Sequence, residues 1–475
     1  MKQKLIIIIT VPVLLLIFSA CNKKLDIIPT QTLSSGAAVK TESDIEGILN
    51  GAYDGIQSTS SYGGDIQMMG DIWANRFYLR FRGTFNGLLQ LASITSTSNV
   101  LLVDNGWATS LWGNAYRTIN TCNIILENLS LVTSSTTTKD NIEGQALFIR
   151  GSLYFELVRL YGKAWGDGDN NTNLAVPLIL TSTPFEVDKL TDANYPSRAT
   201  VAQVYAQAKA DLQRAATLMG SNLSSRASKW AAMAQLSRIA LMQGDYATAR
   251  DMADAVIQSA QYSMAVQFND LWFNFINFGG VAPKEYVFYI RITTQDGTNG
   301  LNTYYGQTVG SIPGTAGRGD LDVQLNWVNL HEVGDVRRTY IQSGSSGRRL
   351  TRKHLDRFGH VPVIRLAEMY LTRAEANFRL GTNVGNPPVN DVNIIRNRVG
   401  LGSLGSVTLD DILKERRLEL AWEGHFLHDN KRLRLSMPGS NPSLNAVPWN
   451  SPRLIMPIPQ REMDVNKNLV QNEGY

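Results

Sequence analysis

The chain has 475 residues, of which 43% are hydrophobic and 18% are charged, a balance that is typical of a globular protein and excludes intrinsic disorder. Its 45 Lys and Arg residues against 41 Asp and Glu give a net charge of only +4, which argues against a dedicated nucleic-acid binder. With two cysteines and five histidines, the chain cannot build a disulfide framework or a cysteine-based zinc site.

The first 20 residues have the pattern of an export signal. Lys2 and Lys4 precede an apolar run that ends at Phe18, and small residues then lead into Cys21. The run is short for a membrane span, and a basic start with a short apolar core is typical of a signal peptide. The order Ile-Phe-Ser-Ala-Cys resembles a bacterial lipobox, in which the cysteine is lipidated. We therefore predict a signal peptide over residues 1–20 and a lipid anchor on Cys21.

Helical periodicity begins after this segment and its tether. A helix is predicted around residues 42–56, whereas residues 57–98, rich in Ser, Gly, Thr and aromatics, are predicted to be irregular with short strands. Apolar residues then recur every three or four positions over 107–126 and 142–161. These two segments predict a helical hairpin whose helices are joined by a Ser/Thr linker at 133–138.

A second group of helices has the spacing of a tetratricopeptide repeat. Residues 201–219 predict one helix, and residues 227–262 predict a pair that is broken at Gly244. Small residues such as Ala240 and Ala249 allow the two helices to approach closely. Gly244 permits the tight turn between them.

The last predicted pair comprises a helix over 361–380 and a helix that Thr408 caps and that runs to about Phe426. The fold class is therefore mostly α, a scaffold of tetratricopeptide-like helical hairpins with a few short strands. Long irregular insertions interrupt it at about 57–98 and 265–358. Insertions of that length usually carry function.

Catalytic and metal-binding patterns are weak. His425 and His428 lie three residues apart without completing a zinc motif, so we expect surface or capping histidines. Residues 167–171 open like a calcium loop but lack its later Gly and Glu, which favours a solvated turn. Cys122 lies in an apolar helical pattern and is expected to be a buried, inert thiol. We predict no enzyme activity, no metal and no cofactor.

Aromatic side chains in the insertions are the remaining candidates for function. An exposed ring can stack on the C–H face of a sugar, and polar neighbours can then bind its hydroxyls. The alternative is that such rings belong to the core, which is the favoured interpretation for Trp272 to Phe275. The predicted ligand-binding residues, five rings and one arginine, are Tyr62, Trp73, Arg80, Tyr304, Tyr305 and Trp327.

Several segments in fixed order carry a family resemblance. They are Lys24–Pro29 behind the lipobox, Arg365–Leu371 with Arg373–Ala376 behind it, Glu415–Gly424, Pro457–Gln460 and Gln471–Tyr475. Together they resemble the SusD/RagB family of bacterial outer-membrane lipoproteins, along nearly the whole chain. The chain is therefore interpreted as a signal peptide over 1–20 and a single SusD-like domain over 21–475.

The resemblance implies an outer-membrane lipoprotein, usually facing outward, with a tetratricopeptide-type helical fold. It also implies that the protein binds oligosaccharides and delivers them to a SusC-like TonB-dependent transporter. Some family members, the RagB-like ones, handle peptides, so a peptide ligand stays open. A surface enzyme and a scaffold that only docks on the transporter are further alternatives. The signature segments are structural and transfer no ligand-binding residue.

Overall fold

The computed structural model of the chain describes residues 39–97, 101–184, 190–221, 225–307, 315, 317–344 and 347–475. The predicted signal peptide and Cys21 lie outside these residues. The helices are α1 Glu42–Gln57, α2 Asp65–Ile72, α3 Asn86–Ala92, α4 Gly106–Glu127, α5 Thr136–Tyr161, α6 Val201–Leu218, α7 Lys229–Gln243, α8 Tyr246–Gln258, α9 Asn274–Phe278, α10 Gly300–Tyr305, α11 Leu325–Val328, α12 Leu366–Leu380, α13 Pro388–Arg398, α14 Leu409–Glu419, α15 Phe426–Arg432 and α16 Gln460–Val465. The strands are β1 Leu79–Phe81, β2 Tyr286–Ile290, β3 Leu321–Val323, β4 Ile341–Ser343, β5 Arg349–Thr351 and β6 Val361–Arg365. Short 3₁₀ helices cover Leu129–Leu131, Asp192–Asn194, Phe268–Leu271, Val336–Tyr340 and Pro452–Leu454.

The long helices pack in succession, which confirms the predicted scaffold of helical hairpins. Helix α4 packs on α5, α5 on α6, α6 on α7 and α7 on α8, and α8 then packs on α12. Helix α5 is buried on all sides from Gly144 to Tyr161, as expected of a helix at the centre of a domain. None of the helices among the described residues is both long and apolar enough to cross a membrane.

The turn between α7 and α8 has the predicted structure. Gly244 ends α7 in the left-handed conformation with φ of 73°, which glycine adopts without steric cost. Ala240 and Ala249 are fully buried against each other's helix, and the Ser237 hydroxyl donates a hydrogen bond to the Ala249 carbonyl at 2.8 Å. Small side chains therefore allow the close approach that the sequence predicted.

The C-terminal part differs from its prediction in three places. Residues 361–365 form strand β6, paired antiparallel with β2, and the helix begins only at Leu366. Helix α13 was not predicted, because its polar sequence has no clear apolar stripe. Thr408 caps α14 as expected, but α14 ends at Glu419 and a turn separates it from α15.

The two insertions contain more helix than predicted, and they fold against each other. Strand β1 of the first pairs antiparallel with β3 of the second, with Leu79 opposite Val323. The Gly300 amide donates a hydrogen bond to the Gly63 carbonyl at 3.0 Å. The close approach needs glycine, since a Cβ on Gly64 would lie 2.8 Å from the Gly300 Cα. Two segments more than 200 residues apart in the sequence therefore form one lobe.

A buried ion cluster around Arg365 joins this lobe to the scaffold. Arg365 donates hydrogen bonds to carboxylate oxygens of Glu285 (2.6 Å), Glu419 (2.9 Å) and Glu423 (2.7 Å). Lys353 donates to Glu423 at 2.8 Å and to the Glu419 carbonyl, also at 2.8 Å. Glu285 and Lys353 belong to the second insertion, whereas Glu419 and Glu423 belong to the C-terminal helices and the turn after them.

The cluster keeps its carboxylates charged. Burial alone would raise the pKa of Glu423, but the charges of Arg365 and Lys353 outweigh it and lower that pKa to about 2. A second buried carboxylate, Glu368, pairs with Arg238 instead. Burial would raise the pKa of Glu368, but the charge of Arg238 outweighs it and lowers that pKa to about 2. Paired carboxylates of this kind link folding to proton binding.

Replacing Arg365 by Met removes the shared partner of three buried carboxylates. We expect the free energy of unfolding to fall by about 3–5 kcal/mol, because three buried carboxylates lose the cation that they share. Glu423 then keeps only Lys353, and Glu285 and Glu419 share Arg398. The matched control is Arg214→Met, which breaks an ion pair with Glu143 whose arginine side chain is 56% exposed and should change stability by less than about 1 kcal/mol. Urea denaturation of the mature chain measures both, and equal effects would contradict the assigned role of the cluster.

Stability should also fall in acid. Glu368 and Glu423 have pKa values near 2 in the folded chain against the ordinary 4.5, so their contribution is present above pH 4.5 and is lost as the pH falls towards 2. Glu423→Gln should lower the melting temperature at neutral pH, and its difference from the wild type should shrink below pH 4.5. A difference that stays constant from pH 7 to pH 2.5 would refute this linkage.

Candidate functional site

A cleft lies where the two insertions meet the C-terminal helices. It has a volume of about 200 Å³ and is lined by apolar and aromatic side chains with a few polar groups. We call it the aromatic cleft and define it by Asp71, Asn75, Trp327, Arg417, Trp422 and Phe426. Ligand-binding sites commonly combine an apolar lining with a few polar groups in this way.

A series of touching rings leads from the core to the surface at this cleft. The ring centroids of Tyr305 and Trp422 are 6.3 Å apart, and those of Trp422 and Trp327 are 4.8 Å apart. Trp327 then contacts Tyr78 edge-on at 5.5 Å, and Tyr78 contacts Phe77 at 4.9 Å. Tyr305 is fully buried whereas Tyr78 and Phe77 are only partly buried, so the series ends on rings that solvent can reach.

The turn between α14 and α15 places Trp422 in this series. Trp422 has φ of 66° and Gly424 has φ of 87°, so both are in the left-handed region. A bulky residue there costs on the order of 1–3 kcal/mol and must be held by its surroundings. The turn is pressed against α2, since a Cβ on Gly424 would lie 2.6 Å from the Gln67 Cα and one on Gly70 would lie 2.4 Å from the Gly424 carbonyl oxygen.

Two polar side chains form the floor of the cleft. Asp71 accepts hydrogen bonds at one oxygen from the Gly424 amide (3.0 Å) and the Tyr305 hydroxyl (3.1 Å). Burial nevertheless raises the pKa of Asp71 to about 8, which leaves its carboxyl mostly protonated at neutral pH. Asn75 is fully buried, and its Nδ2 donates to the Asp71 carbonyl at 2.7 Å.

The side-chain oxygen of Asn75 has no hydrogen-bond partner among the described residues. A buried acceptor of this kind normally finds a partner in the protein, in ordered water or in a ligand. Asn75 belongs to the cleft lining but is 0% exposed, so a ligand hydroxyl reaches this oxygen only after the side chains that cover it move. Beneath its rings the cleft therefore holds a buried donor, the protonated Asp71, and a buried acceptor.

Three of the sequence-predicted residues lie away from the cleft. Tyr62 is buried and donates to Glu156 at 2.9 Å. Trp73 is buried, and its indole N–H donates to the Arg453 carbonyl at 3.0 Å. Tyr304 is also buried, with 6% of its surface exposed. The expectation that these rings are exposed is wrong, because all three pack into the main hydrophobic core.

The structure brings Tyr305, Trp327 and Arg80 towards the cleft. Tyr305 and Trp327 are nevertheless 0% and 3% exposed, so the expectation of exposed rings is wrong for them too. Arg80 lies on β1 with its side chain partly exposed, on the same face as Tyr78. The use of the five predicted rings as stacking platforms stays a prediction, and their faces would first have to be uncovered.

A local sequence pattern indicates which side of β1 carries the ring of Tyr78 at the cleft mouth. Residues 78–82 alternate between exposed and buried positions, the pattern of a strand with one face on the core. That alternation places Tyr78 beside Arg80 and turns Leu79 and Phe81 inward. Asn75 and Trp422 had no comparable local signal, because only the folded turn brings them together.

The other candidate groups are structural. His425 and His428 are buried rather than on the surface, contrary to expectation, and burial lowers the pKa of His425 to about 3. Cys122 is the predicted buried thiol, and burial raises its pKa to about 12. Residues 167–171 form a largely exposed turn. In the part of the chain that the structure describes, no three His, Cys, Asp or Glu side chains are placed to hold a metal ion.

Comparisons with known proteins agree with the fold. A family model described as starch-binding and associating with the outer membrane matches residues 29–241, and a model described as the SusD family matches residues 350–475. SusD-like protein P2 of Formosa agariphila is 27% identical over 98% of this chain and 99% of its own length. The starch-binding protein SusD of Bacteroides thetaiotaomicron is 33% identical over 24% of this chain and 21% of its own.

A solved structure shares the architecture over nearly the whole chain. The crystal structure of a SusD superfamily protein from Bacteroides thetaiotaomicron superposes with a TM-score of 0.75 at 26% identity, covering 91% of this chain and 100% of the other. The two family models match most of the sequence, and the second includes the four C-terminal signature segments of the resemblance. The chain therefore belongs to the SusD/RagB family.

Proposed function

We propose that this protein is a lipid-anchored, surface-facing outer-membrane protein that binds oligosaccharides in the aromatic cleft and delivers them to a SusC-like TonB-dependent transporter. The observation that carries the proposal is the combination of partly buried rings at the mouth of one cleft and an unpartnered acceptor buried in its lining. Delivery to a transporter rests on the family alone. The protein performs no chemical step, and the transporter supplies the energy of uptake.

The cleft has the groups that a sugar ring needs. At its mouth, Tyr78 and Phe77 offer partly exposed ring edges and faces on which a C–H face can stack. The Arg417 guanidinium lies 6.0 Å from the Tyr78 ring centroid and can donate to hydroxyl oxygens. Beneath the rings, the buried Asn75 oxygen can accept a hydrogen bond and the protonated Asp71 can donate one, once the side chains that cover them move.

The relatives support a carbohydrate ligand. One matched family is described as starch-binding, and the SusD protein of Bacteroides thetaiotaomicron is named as a starch-binding protein. The rings at the mouth of the cleft favour a sugar ligand, because a sugar ring presents a C–H face on which they can stack. A peptide ligand is an alternative outcome of the binding experiment below.

Removing the rings at the mouth should weaken glycan binding. We expect Phe77→Ala and Tyr78→Leu each to raise the dissociation constant about tenfold, which corresponds to about 1.4 kcal/mol. Calorimetry with a panel of plant and algal oligosaccharides and of peptides, on the chain lacking residues 1–21, measures this. The control is Phe378→Ala, a ring that is 39% exposed on α12 away from the cleft. Binding of peptides alone, or equal losses in the control, would contradict the proposal.

The lipid anchor should depend on a single cysteine. Cys21→Ser is expected to abolish incorporation of labelled palmitate and to release the protein from the membrane fraction, since acyl chains supply about 0.8 kcal/mol per buried CH₂. Cys122→Ala is the matched control, because that thiol is the only other one in the chain and is buried. Retention of the Cys21 variant in washed membranes would refute the anchor.

A further inference from the structure

One face of strand β1 carries two arginines, of which Arg80 makes no ion pair. Side chains alternate along the strand, so Tyr78, Arg80 and Arg82 lie on one face while Leu79 and Phe81 point into the core. This arginine-rich face adjoins the mouth of the aromatic cleft, because Tyr78 contacts Trp327 in the cleft lining. Charge is therefore placed beside the rings that are proposed to stack on a sugar.

Guanidinium groups outnumber carboxylates on this face. We give the name arginine face to the guanidinium groups whose contacts lie around Tyr78, β1 and the β3 segment; they belong to Arg76, Arg80, Arg82, Arg318, Arg348, Arg349 and Arg417. Its nearest carboxylates are Asp320 and Asp322, which already pair with Arg318 at 2.7 Å and Arg82 at 3.3 Å. Across the cleft, Lys414 pairs with Glu332 at 3.3 Å, and Asp410 adds one further carboxylate to the rim.

Three of these arginines have no acidic partner among the described residues. Arg76 and Arg80 make no ion pair or side-chain hydrogen bond, although Arg80 lies opposite Asp322 in the β1–β3 register. Arg417 only rests against the ring of Tyr78. The Arg348 side chain donates a hydrogen bond to the Gly319 carbonyl, and the Arg349 side chain donates one to the Val323 carbonyl. These carbonyl groups carry no net charge, so they do not neutralise the two arginines.

The unpaired charges repel one another. Partial burial lowers the pKa of Arg80, the positive charges of Arg82 and Arg76 lower it further, and the nearby Asp322 carboxylate only partly opposes them. Each guanidinium stays charged, because even a lowered arginine pKa lies far above neutrality. A ligand that brought negative charge to this face would relieve the repulsion and form charge-assisted, bidentate hydrogen bonds.

We propose that the ligand of the aromatic cleft is an acidic oligosaccharide, whose carboxylate or sulfate groups bind Arg76, Arg80 and Arg417 while a sugar ring stacks on Tyr78. This inference rests on the proposed glycan-binding function and names its substrate class. An anionic membrane surface would use the same charges, but it would not need a stacking ring or a buried acceptor at Asn75 beside them. The whole chain carries only +4, so the excess of positive charge is local to this face.

The test compares sugars that differ only in charge. Calorimetry on the chain lacking residues 1–21 would use oligogalacturonates against their methyl esters, and κ-carrageenan oligosaccharides against their desulfated forms. We expect at least one charged member to bind tenfold or more tightly than its neutral counterpart. The preference should shrink when the salt concentration is raised from 50 to 500 mM, because the contacts are partly exposed.

Arginine variants test whether the arginine face causes the preference for charged sugars. Arg76→Gln and Arg80→Gln should each reduce the preference for the charged sugar several-fold and leave binding of the neutral sugar within twofold. Both side chains are partly exposed, so the fold should be retained, and circular dichroism verifies this. The matched control is Arg214→Gln, an exposed arginine on α6 outside the face, which should not change the preference.

The outcomes separate this inference from the proposed function. Equal binding of charged and neutral sugars would overturn the acidic ligand and leave glycan binding standing. Binding of no glycan at all would overturn both. If phosphatidylglycerol vesicles bind the chain, lose binding in Arg80→Gln and compete with no sugar, the arginine face serves a membrane and the inference is wrong.

Discussion

The structure depends on the burial of one guanidinium group. Arg365 is 1% exposed and is surrounded by carboxylates from Glu285, which directly precedes β2, from α14 and from the turn after α14. A buried cation of this kind is stable only when every partner is in place, so it fixes three segments at once. The second insertion cannot move away from the C-terminal helices without uncovering charge. The ion cluster therefore holds the lobe in a fixed position on the helical scaffold.

The same cluster shapes the cleft. Glu423 forms hydrogen bonds with Arg365 and Lys353, and its neighbours Trp422 and Gly424 have left-handed backbone conformations. The strain of that turn is balanced by the ion pairs and by the packing of Gly424 on α2. The signature residues Glu423 and Gly424 therefore have a structural role: they hold the Trp422 ring in the cleft lining.

Local patterns predicted the scaffold well and the site poorly. Apolar stripes located the long helices, and the Thr408 cap and the Gly244 turn were read from single residues, because capping and left-handed turns depend on neighbours in sequence. Exposure of a ring in an insertion depends instead on what folds over it. Trp327 is covered by contacts with Tyr78 and Trp422, from segments far away in the chain, which no local pattern contains.

The burial of Cys122 has a practical consequence. In the chain lacking residues 1–21, the remaining thiol, that of Cys122, is buried and, with a pKa near 12, almost entirely protonated at physiological pH. Folded protein of this length is therefore expected to react poorly with maleimides. A cysteine introduced at the exposed Leu325, two residues before Trp327 of the cleft lining, would then be the single labelling position, and a fluorophore attached there would report changes at the cleft.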